Sequence, residues 1–148
     1  MAGKGNNNSI GLLELLFQAT ISANYATLAL NATSSPATLL YISLHTADPG
    51  PAGTQSTSEA GYSGYSRVSV ARTSGGFTIS GETISNAATV TFGASTSGPE
   101  VETYFGIGLS ASPTAGVLLY SGALTSSLTV NNGITPSFAA GALTVTES

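Results

Sequence analysis

Three observations predict a mainly β protein: an antiparallel β-sandwich or jelly-roll-like domain carrying one N-terminal α-helix. Short apolar/polar alternations recur from Leu40 to the C-terminus, the period expected of half-buried strands. Turn residues separate them every eight to twelve residues or so, the rhythm of sandwiches and barrels. Only the stretch Ile10 to Thr20, rich in leucine, carries apolar side chains at helical spacing.

Residues Met1 to Asn8 are small and polar, with two glycines, and read as a flexible arm. Ser9 is placed to cap a helix over 9–20, its side chain accepting from an orphan amide. Within that helix Leu13, Leu16 and Phe17 form an i, i+3, i+4 set for the core, with Leu12 and Leu15 left for another neighbour. From Ala19 to Thr38 the pattern is poor, and Pro36 ends whatever precedes it. Leu40, Ile42 and Leu44 then alternate with Tyr41, Ser43 and His45 as a strand, and Val68 and Val70 alternate with Arg67 and Ser69 as another.

Past Arg72 the strands come quickly. Phe77 to Ser80 follows the turn Gly75-Gly76, Ile84 to Asn86 follows Gly81-Glu82, and Val90 and Phe92 alternate with threonines. Val101 to Leu109 is a strand with Gly106 and Gly108 on one face, where a close neighbour is expected. Val117 to Tyr120, Leu124 to Val130 and Phe138 to Val145 are the last strands, with Gly122, Asn131-Asn132-Gly133 and Gly141 as punctuation. Asn132-Gly133 is the strongest hairpin signal, since both residues tolerate positive φ. The whole of 9–148 is read as one domain.

Between the strands ending near His45 and beginning near Arg67 lies a long connection, 47–64. Asp48-Pro49-Gly50-Pro51 stops the first strand because proline lacks an amide donor and pushes the preceding residue toward extended conformations. Loops of this length inside compact domains are most often functional or disordered. The expectation is that this excursion reaches out to a partner, and that deleting Gly53 to Gly61 would leave the domain folded.

Composition narrows the function. At 148 residues the chain is large enough for a real core, yet only 7% of it is charged, against about 25% in ordinary proteins. A surface of Ser, Thr, Asn and Gly repels itself weakly and is cheap to desolvate, which suits an assembled subunit and equally a secreted one. With a net charge of −4 and only Lys4, Arg67 and Arg72 as cations, phosphate neutralisation on nucleic acid is not expected. Glu14 interrupts the apolar run Ile10 to Phe17, so it reads neither as a signal peptide nor as a membrane span. The chain is read as soluble and mature from its first residues. No cysteine is present for disulfides, thiolate chemistry or Cys-based metal sites.

The chemical inventory is thin. His45 is the sole histidine and Asp48 the sole aspartate; three residues apart, they invite a hydrogen bond, but no GxSxG elbow brings a nucleophile to them. Glu100 and Glu102 share a strand face, which suggests a carboxylate pair for sugar hydrolysis. With no tryptophan to line a sugar cleft, two solvated carboxylates on an edge strand explain them more simply. No metal-ligand spacing and no phosphate-binding loop is present, so neither a cofactor nor an enzymatic activity is expected. Arg67 and Arg72 are candidates to pair with Glu59, Glu82 or a partner's carboxylate. Tyrosine and arginine are enriched at interface hot spots. Candidate contacts are therefore Asn6, Asn7 and Asn8 on the arm, Pro49 and Pro51 in the loop, and the cluster Tyr62, Tyr65 and Arg67 around its end. Internal packing is the competing reading of the tyrosines.

The segments LYISLHTADPG, GTQSTSEAGYSGYSRVSVAR and NGITPSFAAGALTVTE, in this order, resemble a group of small tailed-bacteriophage virion proteins. The similarity runs from about Leu12 onward, and relatives carry tail, tail-fibre or general virion labels. The resemblance implies a non-enzymatic virion component made in the host cytoplasm. Long fibre-type repeats are not visible, and a compact β domain with an arm and a long loop suits bridging of neighbouring capsomers. The expected role is thus a capsid cement, or decoration, protein on the capsid surface. Its partner would be the major capsid protein, and it would self-associate as a dimer or trimer, without nucleic acid or membrane. The alternative is a tail-associated or tail-fibre-like module whose loop recognises a host-surface ligand.

Overall fold

A computed structural model of the chain describes residues 6–20, 37–114 and 116–147. It is mainly β: among the described residues helix α1 (Asn6–Gln18) is followed by the strands β1 (Leu39–His45), β2 (Val68–Ala71), β3 (Phe77–Ser80), β4 (Thr83–Asn86), β5 (Val90–Thr91), β6 (Glu100–Gly108), β7 (Leu118–Val130), β8 (Ser137–Phe138) and β9 (Thr144–Thr146). They form sheets of order β2-β1-β6-β7, β3-β4-β9 and β5-β8. The pairings of β1 with β6, β6 with β7, β3 with β4, β4 with β9 and β5 with β8 are all antiparallel. The residues fall into two compact units interleaved along the chain. One holds α1, Ala71–Thr89 and the residues from Ala139 onward; the other holds Leu39–Val70 and Val90–Phe138.

In the first unit α1 begins three residues before the expected cap. Asn6 to Asn8 make its first turn rather than an arm, and Ser9 is buried within the helix with no partner for its hydroxyl among the described residues. The apolar pattern starts only at Ile10, so a polar first turn left no periodic trace. Met1 to Gly5, and most of the weakly patterned stretch after Thr20, lie outside the described residues. Leu13 and Phe17 are fully buried, one turn apart, while Leu12, Leu15 and Leu16 are half-buried. Phe17 meets Phe77 of β3 edge-on at 5.0 Å between ring centroids, and Gln18 Nε2 donates to the Phe77 carbonyl at 3.1 Å.

The helix ends where Ala19 takes a left-handed φ of 53° and the Thr20 amide returns to the Glu14 carbonyl at 3.1 Å. Its last turn carries no basic residue of its own. Arg72 supplies the cation instead: Nε donates to Leu16 O at 2.6 Å, Nη2 to Leu15 O, and Nη1 to Ala37 O at 2.6 Å. A guanidinium against the C-terminal carbonyls satisfies orphan acceptors and opposes the negative end of the helix dipole. At the other end of this unit Asn86 fastens the last residues. Its side chain donates to Ala139 O and accepts from the Leu143 amide, at 2.8 and 2.9 Å.

In the second unit β6 is an interior strand between β1 and β7. Ile42 registers with Ile107 and Leu44 with Phe105, all four buried, which gives this sheet one continuous apolar face. The close neighbour expected at Gly106 is present: a Cβ there would stand 2.6 Å from His45 Nε2 and from Ser43 Oγ. Gly122 does not break the chain as anticipated. It lies inside β7 opposite Phe105, whose ring fills the space a Cβ would need, at 2.7 Å. The two strands expected over 117–130 are therefore one. Conversely, the strand expected over 138–145 is divided into β8 and β9. Asn131 to Ile134 does turn, with Ile134 N bonded to Asn131 O, but β8 pairs with β5, so no hairpin joins β7 to β8. No helix among the described residues is long and apolar enough to cross a membrane.

Replacing Arg72 with leucine strips the α1 C-terminus of its donors and is expected to cost about 1.5–3 kcal/mol, the range for hydrogen bonds to a charged group. Urea denaturation combined with amide exchange checks this, and the last turn of α1 should lose protection first.

Candidate functional site

The excursion 47–64 folds back onto its own strand. Thr46 N donates to Ser58 O at 2.8 Å and Ala60 N to Leu44 O at 2.9 Å, and His45 bridges Glu59 in antiparallel fashion. The Asp48 carboxylate accepts from Gly50 N at 2.9 Å, and Gly53 N donates to Gly50 O at 3.0 Å, so two successive turns sharing Gly50 run from Asp48 to Gly53. Gln55, fully buried, spans the sheet end: its amide donates to Gly116 O, its Nε2 to Tyr41 O, and its Oε1 accepts from Ser110 N.

At the end of the excursion lies its main fastening. Arg67 Nε and Nη2 donate to Glu59 Oε1 and Oε2 at 2.6 and 2.7 Å, a two-pronged pair. The side chains are 1% and 8% exposed respectively. The remaining guanidinium donors reach Ser110 O and Thr114 O at 3.0 and 3.2 Å. Tyr65 Oη donates to Glu59 at 2.8 Å and accepts from Leu44 N at 3.2 Å, and burial pushes its phenol far above the usual range. The ring of Tyr65 meets Tyr62 edge-on at 5.4 Å and stacks on Phe92 at 6.1 Å, and Phe92 meets Phe138 edge-on.

His45 and Asp48 do not meet. The imidazole, fully buried, faces Thr57 O through Nδ1 at 2.9 Å and the Ser43 hydroxyl through Nε2 at 2.8 Å. Burial lowers its pKa, so the ring is neutral, donating to Thr57 and accepting from Ser43. Among the described residues no group of three or more His, Asp and Glu gathers to hold a metal ion.

The anticipated contact residues separate into two sets. Tyr62 and Arg67 are buried and Tyr65 is half-buried, all three engaged inside the unit. Pro49 is buried and Pro51 exposed. Asn6 to Asn8 belong to α1, and their side chains lie outside the described residues. The excursion carries part of the unit's own polar core, so the expectation that deleting Gly53 to Gly61 would leave the domain folded is reversed: Gln55 and Glu59 would go with it.

The exposed tip of the excursion forms one wall of a groove of about 440 Å³. Asp48, Gly50, Pro51 and Gly53 face Tyr104 and the Leu118–Ala123 stretch of β7, an edge strand of its sheet. The groove leaves almost no trace in the sequence, because it joins residues some 70 positions apart whose local signature is the Pro-Gly-Pro turn.

Glu100 and Glu102 were expected to be solvated on an edge strand. On interior strand β6, Glu102 is instead fully buried, and no described N–H or O–H donates to either carboxylate oxygen. Burial, with Glu100 beside it, raises its pKa to about 8. Glu100 accepts from the amides of Gly61 and Tyr62 at 2.7 and 3.3 Å. Burial and these two carboxylates push the Tyr62 phenol up to about 12.

The second unit is thus a β framework braced by buried polar fastenings, with a turn-lined groove at a sheet edge. The family described as podophage GP4 fiber I protein gp80 matches residues 19–146, most of the chain. The protein belongs to this family and is a phage virion structural protein of the fibre type. No curated protein matches it. The fibre description favours the tail-fibre alternative over the capsid-cement expectation.

Glu59→Ala leaves the Arg67 guanidinium buried and uncompensated. The expected loss is about 3–5 kcal/mol in chemical denaturation, and joint replacement of Glu59 by leucine and Arg67 by methionine should lose clearly less than the two single changes summed.

Proposed function

We propose that the chain is a structural module of a phage tail fibre that offers the Asp48–Gly53 rim and the β7 edge to a host-surface ligand. The family match over 19–146 carries this reading. The groove supports the contact surface, since it combines an exposed carboxylate, tyrosine rings and the open backbone of an edge strand. A surface poor in charge, 7% of residues, favours packing against other fibre subunits, including further copies of this chain. Under the cement reading the partner would be the major capsid protein, and the protein would cover the capsid surface.

Quantitative mass spectrometry of virions, after heads and tails are separated, distinguishes the two. A small copy number travelling with the tails is expected. A large copy number travelling with the heads would overturn the fibre reading.

A further inference from the structure

Glu102 has an arrangement that an ionised carboxylate does not tolerate. It is 0% exposed, no described donor reaches it, and the polar group at its side is another carboxylate, Glu100. Across the ladder it registers with Leu128, and β7 brings no charged residue to it from Leu118 to Val130. The end of β1 brings His45, which registers with Tyr104 and is already committed to Ser43 and Thr57. The turn above brings Tyr62, whose phenol donates to Gly93 O at 3.2 Å. No cation faces the pair among the described residues; Arg67 is held by Glu59. One proton satisfies the geometry, carried by Glu102 and donated to Glu100.

Glu100 is in turn what holds the turn at Gly61 and Tyr62. Its Oε1 takes both amides, and a Cβ on Gly61 would stand 3.7 Å from its Oε2, so the carboxylate lies flat against that turn. We propose that the Glu100–Glu102 pair is a proton-operated latch: protonated, it holds the Gly61–Tyr62 turn on β6, and deprotonated, it lets the turn go. With both groups charged, repulsion in a desolvated site is relieved most cheaply by Glu100, which is half-buried and can swing toward water. Both amides then lose their acceptor, and the Tyr62 ring is freed from its edge contact with Tyr65.

The sign follows from the direction of the shift. The folded chain holds this proton more tightly than the unfolded chain, where the carboxyl has its ordinary value of 4.5. The contribution to stability is therefore full below that value and is lost as pH rises through about 8. The latch is closed in acid and near neutrality and opens on the alkaline side.

The test is an NMR titration of the full chain from about pH 6 to about pH 10, following the Glu102 carboxyl carbon and the Gly61 and Tyr62 amides. The wild type should show all three signals moving together near the folded midpoint, with amide protection falling about tenfold per pH unit above it. In Glu102→Gln, which keeps a donor for Glu100 but cannot ionise, the two amides should stay in their bonded positions throughout. A Glu102 carbon that titrates in the ordinary carboxylate range overturns the proposal, and that readout needs no variant. So do amides that move identically in Glu102→Gln. A titration with calcium chloride at the alkaline end separates a remaining cause: amides that return to the closed position on adding calcium would make the pair a cation site rather than a proton latch.

Discussion

The buried pairing of Glu59 with Arg67 is the constraint on which the second unit depends. Two charges taken out of water are tolerable only if each finds its partners. Arg67 does so with Glu59 and the carbonyls of Ser110 and Thr114, while Glu59 also accepts from Tyr65. These bonds tie the end of the excursion to the strand that follows it and to the connection between β6 and β7. Once they are made, the backbone of 58–60 lies along the end of β1, Gln55 reaches the Tyr41 carbonyl, and the Pro-Gly-Pro tip is left standing over β7 as a groove wall. A segment that cannot form a regular strand thus becomes a fixed surface feature.

For the proposed contact surface that rigidity matters. A recognition surface made by a loosely held loop pays an ordering cost when it binds, and one braced from beneath does not. The braces here are almost all neutral hydrogen bonds and one ion pair, consistent with a chain that has so few charges. The same economy makes the isolated carboxyl pair on β6 unusual: the chain has only seven acidic residues, and it buries Glu102 beside another of them.

Much of the fold could be read from local pattern. The alternation around Ile42 and Leu44 marked β1, the glycine at 106 marked a close approach, and the apolar spacing of Leu13 and Phe17 marked the buried side of α1. What escaped reading was decided by distant partners. Gly122 looks like a turn until Phe105 is placed across from it. Glu102 looks solvated until β6 is known to be interior, and order within a sheet leaves no mark on the alternation of a single strand. Tyr62, Tyr65 and Arg67 do cluster, but whether such a cluster faces out or in depends on Glu59 and on Leu44, which lies across the whole excursion in the sequence. The start of α1 was missed because polar residues carry no periodicity.

The most direct test of the account is amide hydrogen exchange on the intact protein, read at Thr46, Gln55 and Ala60. These amides bond to Ser58, Gly116 and Leu44, so a pinned excursion predicts protection comparable to that of β1 and β6. Exchange at the rates of an unstructured loop would show that the excursion is free, and would contradict the claim that Glu59 and Arg67 hold it in place.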